Sequence, residues 1–209
     1  MIALELDERM IAALKESAPK ADVRRVDALK VSLEDILQEL PEPRGVVSNL
    51  PYYITGPLLT KIAESRESFA VAVLMMQKEV AQRVMACPGN SDRGSLSVFL
   101  QSQFDISITA QVSAGSFVPP PKVDSTVLKF VPKHLDVERT GQPFFFRLIR
   151  LGFTQPRKTL ANNLVAGLSR PREDLVEILE KIDLEEKVRP HDLMVEKWIE
   201  LSRELEGHS

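Results

Sequence analysis

The stretch Asn49-Leu50-Pro51-Tyr52 combines residue types that can act on an exocyclic amine of a nucleobase. Such an amine is a poor nucleophile because its lone pair is delocalised into the ring. The amide oxygen of Asn49 and a free backbone carbonyl at Pro51 can accept both N–H hydrogens and aim the nitrogen lone pair at an electrophile. Tyr52 can stack on the base, which contributes about 1–3 kcal/mol per base. Catalysis would then come from positioning and from interactions that strengthen in the transition state.

The segments around this stretch predict the end of a strand followed by a helix. Residues 45–48 have the pattern of a buried strand, and Gly56-Pro57 is typical of a helix start with proline in the first turn. In open α/β sheets, ligands bind at the carboxyl ends of the strands. The alternative interpretation is an Asn-capped turn with a proline and surface tyrosines.

Two earlier segments also predict strands that end in acidic residues. Residues 2–6 form the first of them, followed by Asp7 as the N-cap of a helix. Glu5 then occupies the position from which nucleotide-binding folds contact ribose hydroxyls. Residues 23–26 form the second strand, and Asp27 follows it, where its carboxylate can accept a hydrogen bond from an adenine amine. A surface carboxylate at Glu5 and an ordinary strand-end turn at Asp27 are the alternatives.

The middle of the chain predicts a buried strand, two helices and a final pair of strands. Residues 69–76 are almost continuously apolar, which indicates a strand buried on both faces. Residues 77–83 and 95–103 have helical patterns, and 104–114 and 123–131 predict an antiparallel edge hairpin. Phe117 lies in the proline-rich loop of this hairpin, where it can stack on a base opposite Tyr52. A loop phenylalanine packed into the core is the commoner case.

The order of these elements predicts an α/β class with a second, helical domain. Strands that alternate with helices indicate a doubly wound parallel sheet, here assigned to residues 1–132. Residues 133–209 predict an all-helical domain, with helices near 144–150, 159–168, 171–182 and 192–205. Its basic side chains can contact RNA phosphates, or they can form an exposed helical face: Arg147, Arg150, Arg157 and Lys158.

Composition narrows the classes of protein that this chain can belong to. The formal net charge of −3 over 209 residues argues mildly against a dedicated RNA-binding protein, so local clusters of charge matter more than the total. A single cysteine, Cys87, excludes an internal disulfide and suits a reducing cytoplasm. No apolar run has the length of a membrane span, and the start lacks a signal-peptide pattern.

The motif Asn-Leu-Pro-Tyr resembles the (Asn/Asp)-X-Pro-(Tyr/Phe) signature of methyltransferases that act on amino nitrogens. With Leu50 second and Tyr-Ile-Thr following, it is similar to the ribosomal RNA adenine N6,N6-dimethyltransferases, in particular those of the small subunit. The resemblance extends from Glu5 beyond Arg189-Pro190. It includes Gln-Lys-Glu-Val-Ala-Gln-Arg from position 77, Phe-Val-Pro-Pro-Pro-Lys-Val-Asp-Ser from 117 and Phe-Thr-Gln-Pro-Arg-Lys-Thr-Leu-Ala-Asn-Asn-Leu from 153.

The resemblance implies a Rossmann-like methyltransferase sheet and S-adenosylmethionine as methyl donor, with no metal. It implies that Glu5 binds the ribose of the methyl donor. It also implies that Asp27, Ala28 and Asn49 form the remainder of the site that binds this donor. It implies that the catalytic residues are Asn49 together with Pro51, Tyr52 and Phe117. Small-subunit ribosomal RNA and the pre-30S particle become the expected partners of a cytoplasmic monomer.

The sequence departs from the family pattern in two places. Pro156 replaces an arginine, which removes a positive charge from the basic segment. The family also carries a Gly-rich loop after a first strand, and this chain contains no G-x-G pattern and starts at the second strand of the family. We therefore expect an N-terminally incomplete sheet, weak donor binding and no turnover by residues 1–209 alone. A non-catalytic RNA-binding or ribosome-assembly module derived from the same fold is the alternative function.

Overall fold

The structure, a computed structural model, describes residues 1–137 and 141–206. Residues 138–140 and 207–209 of the predicted helical domain lie outside the described residues. The chain divides into two compact units, Met1–Met76 with Ser107–Pro132 and Gln77–Ile106 with Lys133–Ser209. The first unit ends at Pro132, and residues 77–106 group with the later helices. The division into an α/β domain (1–132) and a helical domain (133–209) stays a prediction.

The first unit begins with a parallel β–α–β segment. Strand β1 (Ile2–Glu5) pairs with β2 (Asp22–Arg25), and α1 (Glu8–Ser17) connects them. Asp7 caps α1 as predicted, because its side chain accepts a hydrogen bond from the backbone N–H of Arg9. The side chain of Arg9 also donates to this carboxylate and lowers the pKa of Asp7 to about 2. The short helix α2 (Leu33–Gln38) follows, capped by Ser32.

A second sheet holds the remaining strands, in the order β3-β4-β6-β5. Strands β3 (Gly45–Asn49) and β4 (Val71–Gln77) are parallel and are joined by α3 (Thr55–Glu64). Along β4, buried residues alternate with half-buried ones, so one face of the strand is buried and the other is only partly covered, which differs from the predicted burial on both faces.

The predicted hairpin is confirmed by β5 (Phe104–Val112) and β6 (Ser125–Pro132), which are neighbours in this sheet. The backbone N–H of Lys133 donates to Gln103 at 2.9 Å, so the end of β6 lies beside the start of β5. At the other end of the hairpin, the N–H of Ala114 donates to the carboxylate of Asp124 at 3.0 Å. The two strands therefore run antiparallel.

The prediction that residues 45–48 form a buried strand is wrong in one respect. The strand exists, but the side chain of Val47 is 84% exposed. Within the described residues, β3 pairs only with β4, and β1 and β2 form a separate two-stranded sheet. The hydrophobic pattern indicates a strand but does not specify which of its edges and faces is covered.

The second unit is helical. It contains α4 (Lys78–Met85), α5 (Ser95–Gln103), α6 (Gln142–Gly152), α7 (Leu160–Leu168), α8 (Arg172–Lys181) and α9 (Val195–Glu206). The last four helices were all predicted from the sequence. Their apolar faces form one core, which includes Phe145, Leu148, Leu160, Leu164, Leu179 and Trp198. Among the described residues, no helix combines the length and apolar character needed to cross a bilayer.

A buried arginine holds the connection between α4 and α5. The guanidinium of Arg93 donates to the carbonyl oxygen of Ala86 at 2.6 Å and to the side chain of Gln101. Gln101 in turn donates to the carbonyl oxygens of Val84 and Ala86. Burial lowers the pKa of Arg93 below its ordinary value. These bonds satisfy carbonyl groups at the end of α4.

Gly152 provides a test of this helical core. A methyl group added there would lie 2.3 Å from Cη2 of Trp198, a rigid indole that stacks on Phe153 at 5.7 Å between ring centroids. We expect Gly152→Ala to lower the free energy of unfolding by about 1–3 kcal/mol, because overpacking displaces a ring that cannot rotate away. Urea denaturation followed by the fluorescence of Trp198, the single tryptophan, measures this change.

Gly167→Ala is the matched control. Its added methyl would meet the side chain of Leu151 at 2.4 Å, but Leu151 ends in a flexible isobutyl group that can rotate. In the helix, alanine is also favoured over glycine by roughly 1 kcal/mol. Equal loss of stability in both variants would contradict the role given to the indole.

Candidate active site

The candidate site forms where β3 ends. Asn49 lies opposite Met75 of β4, and one more bond, from the N–H of Leu50 to the carbonyl oxygen of Met75 at 2.9 Å, extends the pairing. Leu50 is 1% exposed and fixes the strand end in the core, whereas Asn49 is exposed. The amide of Asn49 is therefore held at a fixed point of the sheet edge and open to a ligand.

The turn after Leu50 shows which backbone oxygen is available. The carbonyl oxygen of Pro51 accepts the N–H of Ile54 and the hydroxyl of Thr55, both at 3.1 Å. A carbonyl has two lone pairs, so the expectation of a free carbonyl at Pro51 is not met. The sequence could not show this, because both donors depend on the 3₁₀ turn at Tyr52–Ile54.

Leu50 supplies the acceptor that the sequence analysis missed. Its carbonyl oxygen accepts no hydrogen bond from any described residue, although Leu50 itself is buried. A buried backbone acceptor without a partner is uncommon and requires an explanation. An N–H group of a ligand beside Asn49 would satisfy it.

Two predicted aromatic residues belong to the same unit as Asn49. Tyr52 is half-buried, and its hydroxyl lies 3.0 Å from the Oγ of Ser125. Phe117 is half-buried in the loop between β5 and β6. The neighbouring Tyr53 is 87% exposed. The bond to Ser125, at the start of β6, places that start near the carboxyl ends of β3 and β4.

The residues predicted to bind the methyl donor lie at the ends of two neighbouring parallel strands. Glu5 ends β1 and pairs with Arg25, two residues before Asp27. Oε1 of Glu5 accepts the N–H groups of Leu6 and Asp7 at 2.6 and 2.9 Å, which leaves Oε2 without a hydrogen-bond partner among the described residues.

Asp27 and Ala28 form a turn that presents both a hydrogen-bond acceptor and a hydrogen-bond donor. Oδ1 of Asp27 accepts the N–H of Leu29 at 2.9 Å, and Oδ2 lies 3.9 Å from the ammonium of Lys30. The N–H of Ala28 has no acceptor among the described residues. Lys61 of α3 donates to the carbonyl oxygen of Leu29 at 2.8 Å and fixes this turn to the helix that follows the Asn49 loop.

The predicted RNA-binding residues lie in the helical unit and are exposed. Arg147 donates to the carbonyl oxygen of Gly167 at 3.0 Å, so part of its donor capacity is used within the protein. Arg150, Arg157 and Lys158 have no acidic partner among the described residues. They are free to bind an anionic ligand.

Asn163 holds the loop that carries Arg157 and Lys158. Its side-chain oxygen accepts the N–H of Gln155 at 2.7 Å, and its side-chain nitrogen donates to the carbonyl oxygens of Gln155 and Thr159, both at 3.1 Å. Asn163 is buried although polar. The three bonds satisfy it and close the loop at the start of α7.

The structure adds two cations that the sequence analysis missed. The N–H of Leu160 donates to the carbonyl oxygen of Val188 at 2.8 Å, which brings the segment around Val188 beside the start of α7. Lys187 and Arg189 flank Val188 and are exposed. Their separation in sequence from Lys158 hid this proximity, since a local pattern contains no signal for it.

Known proteins share both the sequence and the fold. The family model described as ribosomal RNA adenine dimethylase matches residues 1–206. A protein of Geobacter metallireducens named ribosomal RNA small subunit methyltransferase A is 40% identical over 209 residues, which cover 97% of this chain and 76% of that protein. The protein of the same name from Lactobacillus helveticus is 36% identical over 220 residues, which cover 98% of this chain and 74% of that protein.

Two solved structures resemble this chain. A dimethyladenosine transferase from Plasmodium falciparum superposes with a TM-score of 0.79 at 27% identity, covering 99% of this chain and 82% of that one. The 23S rRNA methyltransferase ErmE superposes with a TM-score of 0.69 at 22% identity, covering 98% and 81%, and supports the fold alone.

The role of Asn163 can be tested against its neighbour. We expect Asn163→Ala to lower the free energy of unfolding by about 1–3 kcal/mol, because buried loop groups lose their partners. It should also speed tryptic cleavage after Lys158. Among the described residues, the side chain of the exposed Asn162 bonds only to the surface residue Arg172, so Asn162→Ala is the control. Equal cleavage rates in the parent and the Asn163 variant would contradict the proposed closure of the loop.

Proposed function

The chain belongs to the ribosomal RNA adenine dimethylase family, and we propose that it transfers methyl groups to the N6 amine of adenines in small-subunit ribosomal RNA. The observation that carries this proposal at the level of atoms is the pair of acceptors at the end of β3. Asn49 is exposed there beside the carbonyl oxygen of Leu50, which has no hydrogen-bond partner among the described residues. Two acceptors suit the two hydrogens of an adenine amine.

These acceptors can change the reactivity of the amine. Hydrogen bonds from N6 to Oδ1 of Asn49 and to the Leu50 carbonyl favour a pyramidal nitrogen, whose lone pair is no longer shared fully with the ring. The bonds strengthen as positive charge develops on the nitrogen, so they stabilise the transition state more than the ground state. After the first methyl transfer one N–H remains, so the second round uses only one of the two bonds.

The methyl group comes from the sulfonium of S-adenosylmethionine, which leaves as a thioether, while the displaced N6 proton passes to water. The residues at the ends of β1 and β2 fit this donor. Oε2 of Glu5 can accept from a ribose hydroxyl. A carboxylate oxygen of Asp27 and the N–H of Ala28 are complementary to the amine and the ring nitrogen of adenine.

RNA binding is assigned to the helical unit. Arg150, Arg157 and Lys158 are exposed cations without acidic partners among the described residues, and Lys187 and Arg189 extend the set beside the start of α7. Contacts of this kind position RNA through its phosphates and do not read sequence. The pre-30S particle is the proposed assembly on which the protein acts, as a monomer in the cytoplasm.

The role of Asn49 can be tested by substituting it in the protein that its natural gene encodes. We expect Asn49→Ala to reduce methyl transfer to ribosomal RNA at least about 100-fold, by analogy with the loss of one transition-state hydrogen-bonding group. The melting temperature should change little, because the side chain is exposed. Transfer of radiolabelled methyl groups measures the activity, with Asn90→Ala, in an exposed loop, as the control.

Incorporation within threefold of the parent would contradict the assignment of Asn49. A parent protein that binds small-subunit RNA but transfers no methyl group would favour the alternative, a non-catalytic binding module.

The basic residues make a separate prediction. Reversing Arg157 and Lys158 to glutamate should weaken RNA binding for all sequences alike. It should also flatten the plot of log affinity against log salt by up to about one unit per lost phosphate contact. Reversing Lys15 and Lys20, two exposed lysines of the first unit, changes the net charge equally and is the control. The same slope in the parent and the Arg157/Lys158 variant would exclude phosphate contacts there.

A further inference from the structure

The start of β6 carries two polar residues, Asp124 and Ser125, that have no part in the proposed chemistry. The Oγ of Ser125 lies 3.0 Å from the hydroxyl of Tyr52, and Ser125 is 1% exposed. Oδ1 of Asp124 accepts the N–H of Ala114 at 3.0 Å. One bond therefore ends on Tyr52, and the other ends on the loop that carries Phe117.

We infer that Asp124 and Ser125 are positioning residues, which set the two aromatic rings against the target adenine. This inference rests on the proposed function, because it names how the site holds its base. Ser125 is the first residue of β6, a strand in the central part of the sheet order, and Asp124 directly precedes it. Backbone pairing therefore fixes the position of Ser125 and, through the peptide bond, restricts that of Asp124.

The Ser125 bond acts on the orientation of one ring. A tyrosine side chain rotates about two bonds, and a stacked base requires one particular ring plane. Because the hydroxyl of Tyr52 is tied to a buried group of the sheet, the direction in which the ring points is set before RNA binds. A phenolic hydroxyl also prefers to make its hydrogen bond near the plane of its ring, so the same bond favours one ring plane. Within the described residues, Tyr52 is the sole hydrogen-bond partner of the Ser125 side chain.

The Asp124 bond acts on the loop that contains the second ring. It joins the two ends of the segment 114–124, so the loop is closed at its base. From that anchor the chain continues as a tight turn, in which the N–H of Phe117 donates to the carbonyl oxygen of Ala114 at 3.2 Å. Ala114 thus connects Asp124 to Phe117 through two successive hydrogen bonds.

A double-mutant cycle tests the first bond. We expect Ser125→Ala and Tyr52→Phe each to reduce kcat/KM for RNA about tenfold, because each removes one end of the same bond. The double variant should lose no more than either single variant, since interacting residues are non-additive. KM for S-adenosylmethionine should not change, and Ser125→Thr should retain activity because it keeps the hydroxyl.

Ser116→Ala is the control for general effects on the loop. Ser116 also bonds another hydroxyl, that of Ser113 at 3.3 Å, but the pair is exposed. For the second bond, Asp124→Ala should lower kcat/KM for RNA, whereas Asp124→Asn should restore it, because an amide oxygen can still accept from Ala114. Additive losses in the cycle, or equal effects of the two Asp124 variants, would overturn the inference.

A spectroscopic measurement separates this inference from the proposed function. The protein has two tyrosines, so ring-labelled tyrosine gives NMR signals from Tyr52 and Tyr53 alone. Ser125→Ala should shift and broaden the Tyr52 signals and leave those of the exposed Tyr53 unchanged. Unchanged Tyr52 signals would overturn the positioning role even if the parent is active. A parent without methyl transfer would refute the proposed function, while the NMR result would still decide whether Ser125 orders the ring.

Discussion

The parallel pairing of β3 with β4 is the constraint on which the candidate site depends. It continues one residue beyond β3, through the bond from the N–H of Leu50 to Met75, and buries Leu50 at the point where the chain turns. Asn49 is consequently presented at the edge of the sheet without freedom to move along it. The tight turn that follows uses the Pro51 carbonyl internally, which leaves the Leu50 carbonyl as the acceptor without a partner among the described residues. Preorganisation of this kind removes the cost of arranging the acceptors during the reaction.

Local chemistry was predictable from the sequence. Asp7 was correctly identified as a helix N-cap, because capping depends on neighbouring residues. Strand β4 was predicted from its apolar run, and the later helices were predicted from the periodicity of their apolar residues. The exposure of Val47, the bonded state of the Pro51 carbonyl and the proximity of Lys187 to α7 were not predictable. Each depends on which distant segment lies alongside, and that information is not contained in a local pattern.

In both units, polar side chains form hydrogen bonds that join loops to helices or strands. Asn163 closes the basic loop onto α7, Lys61 fixes the Asp27 turn to α3, and Ser125 holds the ring of Tyr52. In each case the segment held by the hydrogen bond carries a residue assigned to ligand binding. The side chain that holds it is buried or half-buried. Such contacts keep binding loops from sampling many conformations, and this lowers the entropy lost when a ligand binds.

The exposed valine of β3 has a consequence for the behaviour of concentrated solutions. Val47 is 84% exposed on a strand that pairs on one edge only among the described residues, and Gly45–Asn49 contains no charged side chain. Natural sheets usually protect such an edge with lysine, proline or a bulge, because bare backbone groups recruit strands from other molecules. A strand of another molecule that paired with this edge would satisfy the backbone groups of β3.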